Sequence, residues 1–306
     1  MSEFTIHRIS PELLPKFTQL YNLVFNLNYD LDFFIKKFDT QWSGYSFVGY
    51  IALDSEKEAA AYYGVYPYQF IKNGRVFIGA QIADTMTHPK HQKKGLFKTL
   101  LEKTCLLCGE LGISYIYGFP NHNALPQYQK LNWNIEGKLI SYTLKCNPHL
   151  LPKILRRLSS KIYSRFVYFL IKQQGATPAN KFFKLNLGCF HIARIKEYFD
   201  YKNSEKVFQF SYGTSQFLIK ATDFQLIIAD YENEKGDLNI KPIINLGNKI
   251  GVDEIVFDLT PDLNNYYLGL ELFDKREGRP IISKWISNEM EIKEPISLTG
   301  LDIDTF

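Results

Sequence analysis

The chain has 306 residues, 45% hydrophobic and 22% charged, enough for one large or two ordinary domains with real cores. Its 36 Lys and Arg against 32 Asp and Glu leave a formal charge of +4, too near balance to mark a nucleic-acid binder. Four cysteines (Cys105, Cys108, Cys146, Cys189) make no disulfide framework, MSEFTIHRIS has no basic-then-apolar leader pattern, and the longest apolar run, Phe166 to Ile171, is far short of the ~20 residues of a membrane span, so a reduced, cytoplasmic compartment is expected.

Phe4 to Ile9 reads as a first strand. Ser10-Pro11-Glu12 is a helix start, and Leu13, Leu14, Phe17, Leu20, Tyr21 and Val24 then recur at helical spacing. A second helix follows Asp30, with Leu31, Phe34, Ile35 and Phe38 on one face. Tyr45 to Leu53 and Ala59 to Tyr66 are strand candidates, Lys72-Asn73-Gly74 is a hairpin turn, and Arg75 to Thr87 is a long strand run. Within that run alternation puts Asp84 and Met86 on one face and Thr85 and Thr87 on the other. A helix opens near Gly95 with Leu96, Phe97, Leu100, Leu101, Thr104, Leu107, Cys108 and Leu111 as its apolar stripe, and Gly112 stops it. Cys105 and Cys108 fall inside this helix, without a second cysteine or histidine pair at metal spacing, so they read as helix-face packing and no metal is expected. Ile113 to Phe119 is a short buried strand, a helix enters at Leu125-Pro126, and Ile135 to Leu144 is a last strand.

Gln92-Lys93-Lys94-Gly95-Leu96-Phe97 sits between a strand and a helix. The first amides of a helix have no partner inside it and the macrodipole is positive there, so the arrangement suits a phosphate; a glycine lets the backbone approach it, and two lysines add charge. This stretch and Asn121-His122-Asn123-Ala124-Leu125-Pro126-Gln127-Tyr128 together resemble the GNAT family of acyl-coenzyme A N-acyltransferases, which carries Gln/Arg-x-x-Gly-x-Gly/Ala after its fourth strand and Asn-x-x-Ala-x-x-x-Tyr-x-x-x-Gly-Phe about thirty residues on. Gln92 and Gly95 match the first pattern; Asn121, Ala124 and Tyr128 match the second; Phe97, Asn132 and Trp133 depart from them. Phe97 stands where the family has a small residue and would crowd a diphosphate unless its ring turns into the core.

The resemblance covers residues 1–146 and implies an α/β (mixed α+β) GNAT fold there. It implies that the amides of Gln92, Lys93, Lys94, Gly95, Leu96 and Phe97 hold the diphosphate of coenzyme A. The pantetheine arm would lie where the strand ending at Thr87 splays from the strand 113–119. An amide near Met86 would act as oxyanion donor, Asn121 would bond the pantetheine or fix the turn, and Tyr128 would be the general acid beside the sulfur. Asp84 is the candidate base for the amine, with a structural ion pair as the equal alternative. His88 and His91 read as phosphate or adenine contacts, and His122 is an outside candidate for the chemistry. The implied activity is acetyl-CoA-dependent N-acetylation of a small-molecule primary amine, for which an amino sugar is one analogy. Aminoacyl or longer-acyl transfer by a pair of GNAT units, or a non-catalytic acyl-CoA-binding module, stands as the alternative.

Residues 147–198 read as a basic, aromatic, mostly helical linker. Lys153, Arg156, Arg157, Lys161, Arg165 and Lys172 interleave with Leu155, Leu158, Ile162, Phe166, Phe169 and Leu170, an amphipathic pattern that either packs on a neighbour or touches an anionic membrane through 153–172. Residues 199–306 read as a β-rich α+β domain, with strand runs at Val207–Phe210, Phe217–Lys220, Gln225–Tyr231, Glu254–Leu259, Tyr267–Leu272 and Arg279–Ile286. This half is either a degenerate second GNAT-like unit or an unrelated accessory domain. Asp302 and Asp304 near the end read as a solvated terminus or, less simply, as metal ligands. No nucleic-acid partner is expected, and neither oligomeric state nor acceptor has a motif.

Overall fold

A computed structural model describes residues 4–147, 160–178, 190–203, 207–222, 225–233, 240–265, 270–286 and 296–302. The chain divides into two compact units, residues 1–136 with 281–293, and 137–280 with 294–306. Chain order and unit order therefore differ: the chain crosses over at three points rather than at a single linker.

The first unit runs β1 (Thr5–Arg8), α1 (Leu14–Phe25), α2 (Leu31–Phe38), β2 (Val48–Leu53), β3 (Ala59–Lys72), β4 (Arg75–Thr87), α3 (Leu96–Glu110), β5 (Tyr115–Gly118) and α4 (Leu125–Lys130). This is the element order read from the sequence. Local chemistry accounts for much of it. Asp30 caps α2, its carboxylate accepting from Phe33 N–H at 2.8 Å. Asn73 and Gly74, both left-handed, close the β3–β4 hairpin with Lys72 opposite Arg75. The ring of Pro11 starts the turn before α1, although Ser10 makes no side-chain cap there.

β1 to β4 pair antiparallel in sequence order, and β5 joins β4 in parallel. The far edge of β5 pairs antiparallel with Ile282–Trp285, from a strand nearly 160 residues downstream. The sheet is covered on both faces. α1 and α2 bring Phe17 onto Tyr62 and Phe38 onto Tyr66 of β3, edge to face, with Phe34 packed edge-on against Phe17. The opposite face packs Tyr63, Val65 and Ala80 under Leu96, Leu100, Leu101, Leu107 and Cys108 of α3, with Ile282 completing the cluster.

The second unit contains most of β6 (Asn134–Lys145), then α5 (Ser160–Gln173), β7 (Thr177–Pro178), β8 (Phe190–Ile192), α6 (Lys196–Asn203), β9 (Phe208–Tyr212), β10 (Ser215–Ala221), β11 (Gln225–Asn233), α7 (Lys241–Ile250), β12 (Glu254–Leu259), the first half of β13 (Asp274–Trp285) and β14 (Ile296–Ser297). Its strands run β6-β12-β11-β10-β9-β7, and β11 and β12 are parallel, joined through α7. The residues of β6 from Ile140 to Lys145 pair with β12.

Several sequence readings change here. Tyr163, Val167 and Ile171 of α5 are buried at four-residue spacing in this unit's core, and Tyr163 Oη donates to Ile250 O at 3.0 Å. That stripe is committed to packing, whereas Arg165, Phe169 and Lys172 are exposed. Leu270–Leu272, expected as the end of a strand, is a 3₁₀ turn. The helix Lys241–Ile250 was not read from the sequence. Asp302 is not solvated. It is buried against Arg194, with Nη2 at 2.7 Å, and accepts from Tyr198 Oη at 2.9 Å, so its charge is spent on an internal ion pair. Lys153, Leu155, Arg156, Arg157, Leu158, Cys189, Tyr267 and Asp304 lie outside the described residues. Among the described residues no group of His, Cys, Asp and Glu could hold a metal, and no helix is long and apolar enough to cross a membrane.

Candidate active site

Three local features of the first unit converge. β4 and β5 pair only at Gly79–Gln81 opposite Tyr115–Tyr117. β4 then continues to Thr87 along β3, leaving its other edge without β5. Along that stretch, two residues of β4, Asp84 and Thr85, oppose the single residue Tyr63, a β-bulge with Asp84 at φ +55°. A bulge at a strand rim re-aims side chains, and here two consecutive residues serve opposite faces. Asp84 goes to the α1/α2 face, where Lys37 Nζ reaches its two oxygens at 3.0 and 2.9 Å and Tyr66 Oη donates at 2.6 Å. Thr85 stands on the α3/α4 face, its buried hydroxyl near that of Tyr128 but beyond hydrogen-bond distance.

Past the bulge, His88 N–H donates to Ala60 O at 2.8 Å, around the pair Thr87–Ala61. That makes Thr87–Ala61 a non-hydrogen-bonded pair, so Thr87's own N–H and C=O face away from β3, toward the side β5 has left. Met86, opposite Tyr62, turns its peptide groups to β3 and its side chain to the α1/α2 face. Of the two coenzyme contacts expected on this strand, Met86 and Thr87, the outward backbone is at Thr87; the bulge sets which amide points where.

The turn into α3 is exposed from Gln92 to Gly95. Gly95 is its N-cap at φ +79°, Lys93 is also left-handed, and no side chain caps the helix. A left-handed residue followed by helical Leu96 turns successive N–H groups to one side, an anion-binding concavity on top of the helix terminus. A Cβ at Gly95 would meet nothing within 4 Å, so the space above the turn is open and it is the backbone angle that demands glycine. Lys94 lies over the Phe4 ring at 5.3 Å. Phe97 does not stand in the turn. Its ring packs edge-on against Tyr63 and Tyr128 at 5.6 and 5.3 Å, in the core, which leaves the approach to the amides clear. The turn, the parted strands and the outward Thr87 backbone fit a nucleotide thioester.

Tyr128, on α4, is 2% exposed, between the rings of Phe97 and Trp133. Its hydroxyl lies 3.1 Å from that of Tyr63. Burial pushes the Tyr128 phenol well above its ordinary range, against the pull of the hydroxyls of Tyr63 and Thr85, so it is a proton donor and not a phenolate at neutral pH. Asn121 fixes the turn before α4: its Oδ1 accepts from Asn123 and Ala124 N–H at 3.0 and 2.9 Å. Asn132, in place of the family's glycine, takes the left-handed angle at φ +56° that asparagine tolerates. His91 is held against Asp54, at 3.2 Å, and the Phe4 ring; His88 Nδ1 accepts from Lys90 N–H. His122 is exposed. Cys105 and Cys108 are free, and burial raises the Cys105 thiol to about 11.

The sequence missed Lys37, Tyr63, Tyr66 and Thr85. The available signal was composition: β3 carries Tyr62, Tyr63, Tyr66 and Tyr68, and four tyrosines in a strand buried on both faces must find partners for their hydroxyls.

Strand order, parted parallel pair, bulge and glycine turn at a helix entrance define the GNAT fold. Residues 5–135 match the family model described as an acetyltransferase (GNAT) domain. Solved structures share the wider fold. A GCN5-related N-acetyltransferase from Anabaena variabilis is 12% identical with a TM-score of 0.57, over 93% of this chain and 73% of that one. One from Kribbella flavida is 12% identical with a TM-score of 0.55, over 92% and 71%. Saccharomyces cerevisiae N-myristoyltransferase with bound myristoyl-CoA is 11% identical with a TM-score of 0.54, over 94% and 83%. At such identities the likeness is one of fold. No curated protein matches the sequence.

Proposed function

We propose that the chain is an N-acyltransferase that moves an acetyl group from acetyl-CoA to the primary amine of a small molecule, an amino sugar being one such acceptor. The observation that supports this most is the bulge of β4 at Asp84 and Thr85, set where β5 has parted from β4: one side chain faces each side of the sheet, so an amine and a thioester can meet at the rim from opposite faces. Acetyl-CoA brings the activated acyl group. The amides from Gln92 to Phe97, with Lys93 and Lys94, take the diphosphate, and the outward N–H and C=O of Thr87 take the pantetheine as an added strand would. Tyr128 holds a proton for the departing sulfur. Asp84, already paired with Lys37 and Tyr66, orients the amine side of the rim, and through water it takes the amine's proton.

Calorimetry with acetyl-CoA, followed by thiol release with a panel of amines and with acetyl- and longer acyl-CoA donors, tests this. Binding with acetyl transfer to at least one small amine is expected, and Tyr128→Phe is expected to lower kcat at least tenfold while leaving the Kd for acetyl-CoA within twofold. No heat and no protection against unfolding by acetyl-CoA would refute the proposal.

A further inference from the structure

The phenols of Tyr63 and Tyr128 share a hydrogen bond in which either oxygen could donate. Both hydroxyls are buried, with Tyr63 1% and Tyr128 2% exposed, and they lie 3.1 Å apart. Each carries one proton, and a buried O–H seeks an acceptor. Around Tyr63 the described contacts are the edge of Phe97 and the thiols of Cys105 and Cys108; its one oxygen partner is Tyr128. Its backbone carbonyl is taken by Thr104 Oγ1 at 3.3 Å. Tyr128 differs: the Thr85 hydroxyl, on the bulge, stands on its other side. The proton of Tyr63 thus has one oxygen to go to, that of Tyr128, and the proton of Tyr128 is left to the side of Thr85, on the bulge of β4. The two groups' acidities agree. Burial is the largest cause for each and raises both, so both phenols keep their protons at neutral pH.

We infer that Tyr63 is a positioning residue for the acyl transfer: its O–H donates to Tyr128 Oη, aims the Tyr128 proton at the thioester sulfur and steadies the phenolate left when that proton is given up. The inference rests on the transferase reading of Tyr128. In the step it serves, the amine nitrogen bonds to the carbonyl carbon and the carbon–sulfur bond breaks with its electron pair on sulfur. Sulfur takes the proton of Tyr128, and the proton lost by nitrogen passes through water to Asp84 and from there, again through water, to the phenolate, so the phenol is restored and coenzyme A leaves as the thiol. Holding the phenolate by a preset donor avoids reorganisation at the moment of transfer.

Tyr63→Phe removes the hydroxyl and keeps the ring contact with Phe97. In the full chain, kcat for thiol release from acetyl-CoA is expected to fall about tenfold, with KM for acetyl-CoA within twofold and no further loss when Tyr63→Phe is added to Tyr128→Phe. Full turnover in Tyr63→Phe, or equal losses in both backgrounds, would overturn the inference. Loss of nothing in Tyr128→Phe itself would instead sink the transferase reading of Tyr128. An activity-free arm uses tyrosine labelled with carbon-13 at Cζ, the Tyr128 resonance being assigned by its absence in Tyr128→Phe. That resonance should move in Tyr63→Phe, and in the unmodified chain it should move with coenzyme A but not with desulfo-coenzyme A. A Tyr128 resonance indifferent to Tyr63→Phe overturns the inference, and one indifferent to the coenzyme's sulfur overturns the reading beneath it.

Discussion

Gly95→Ala separates what the turn does for the fold from what it does for a ligand. Gly95 sits at φ +79°, and an alanine Cβ there would meet no atom within 4 Å. The fold therefore loses only the left-handed backbone penalty, about 1–2 kcal/mol, with no clash added. A diphosphate lying on the amides of Lys94 to Phe97 would meet the new methyl directly, since those amides open on the same empty space. Affinity for acetyl-CoA is then expected to drop at least tenfold, which is about 1.4 kcal/mol. Urea unfolding of the free protein measures the first quantity, and calorimetry with acetyl-CoA and with coenzyme A measures the second. Gly95→Asn is the control: asparagine accepts the left-handed angle, so its unfolding free energy should stay closer to that of the parent, while binding falls as in the alanine variant. If Gly95→Ala loses its 1–2 kcal/mol of stability and binds acetyl-CoA like the parent chain, the diphosphate is not held on this turn.

Asp84→Asn leaves the Lys37 ammonium nearly buried without its counter-charge, the pair's side chains being 9% and 7% exposed; unfolding should become easier by about 3 kcal/mol, read by urea titration. If Asp84 also serves the amine, transfer in the folded variant drops at saturating acetyl-CoA, and Lys37→Met, which costs the fold a partner without touching the carboxylate, separates the two effects. Ile282→Ala should lower stability by about 2–5 kcal/mol, because Ile282 is 1% exposed in the first unit's core although it lies far downstream in the chain. An unchanged melting midpoint in that variant would show that the strand 281–285 does not complete the sheet beside β5.

The readable part of this protein was local. Asp30 announces a cap, Asn73-Gly74 a hairpin, Gly95 and Gly112 the ends of α3, and each is settled by backbone angles and hydrogen bonds within a few residues. The spacing of Asn121, Ala124 and Tyr128 is a matter of one turn and one short helix. For the same reason, the order of elements up to α4 and the glycine turn at the helix entrance were legible without coordinates.

Partners distant in the chain were not. Asp84 meets Lys37 across 47 residues, and Tyr128 meets Tyr63 across 65. Nothing in the pattern of β5 says that its free edge takes residues 282–285 rather than the strand that follows it in sequence, because a short buried strand looks the same whichever neighbour it has. Nor does alternation in β4 reveal that one residue too many sits opposite Tyr63. That extra residue makes Thr87, and not Met86, the residue whose backbone turns outward. Sequence alone determined the elements of the first unit and the glycine turn at the entrance to α3; the tertiary structure decided the rim at the end of β4, since a bulge and a parted strand pair are properties of two strands side by side.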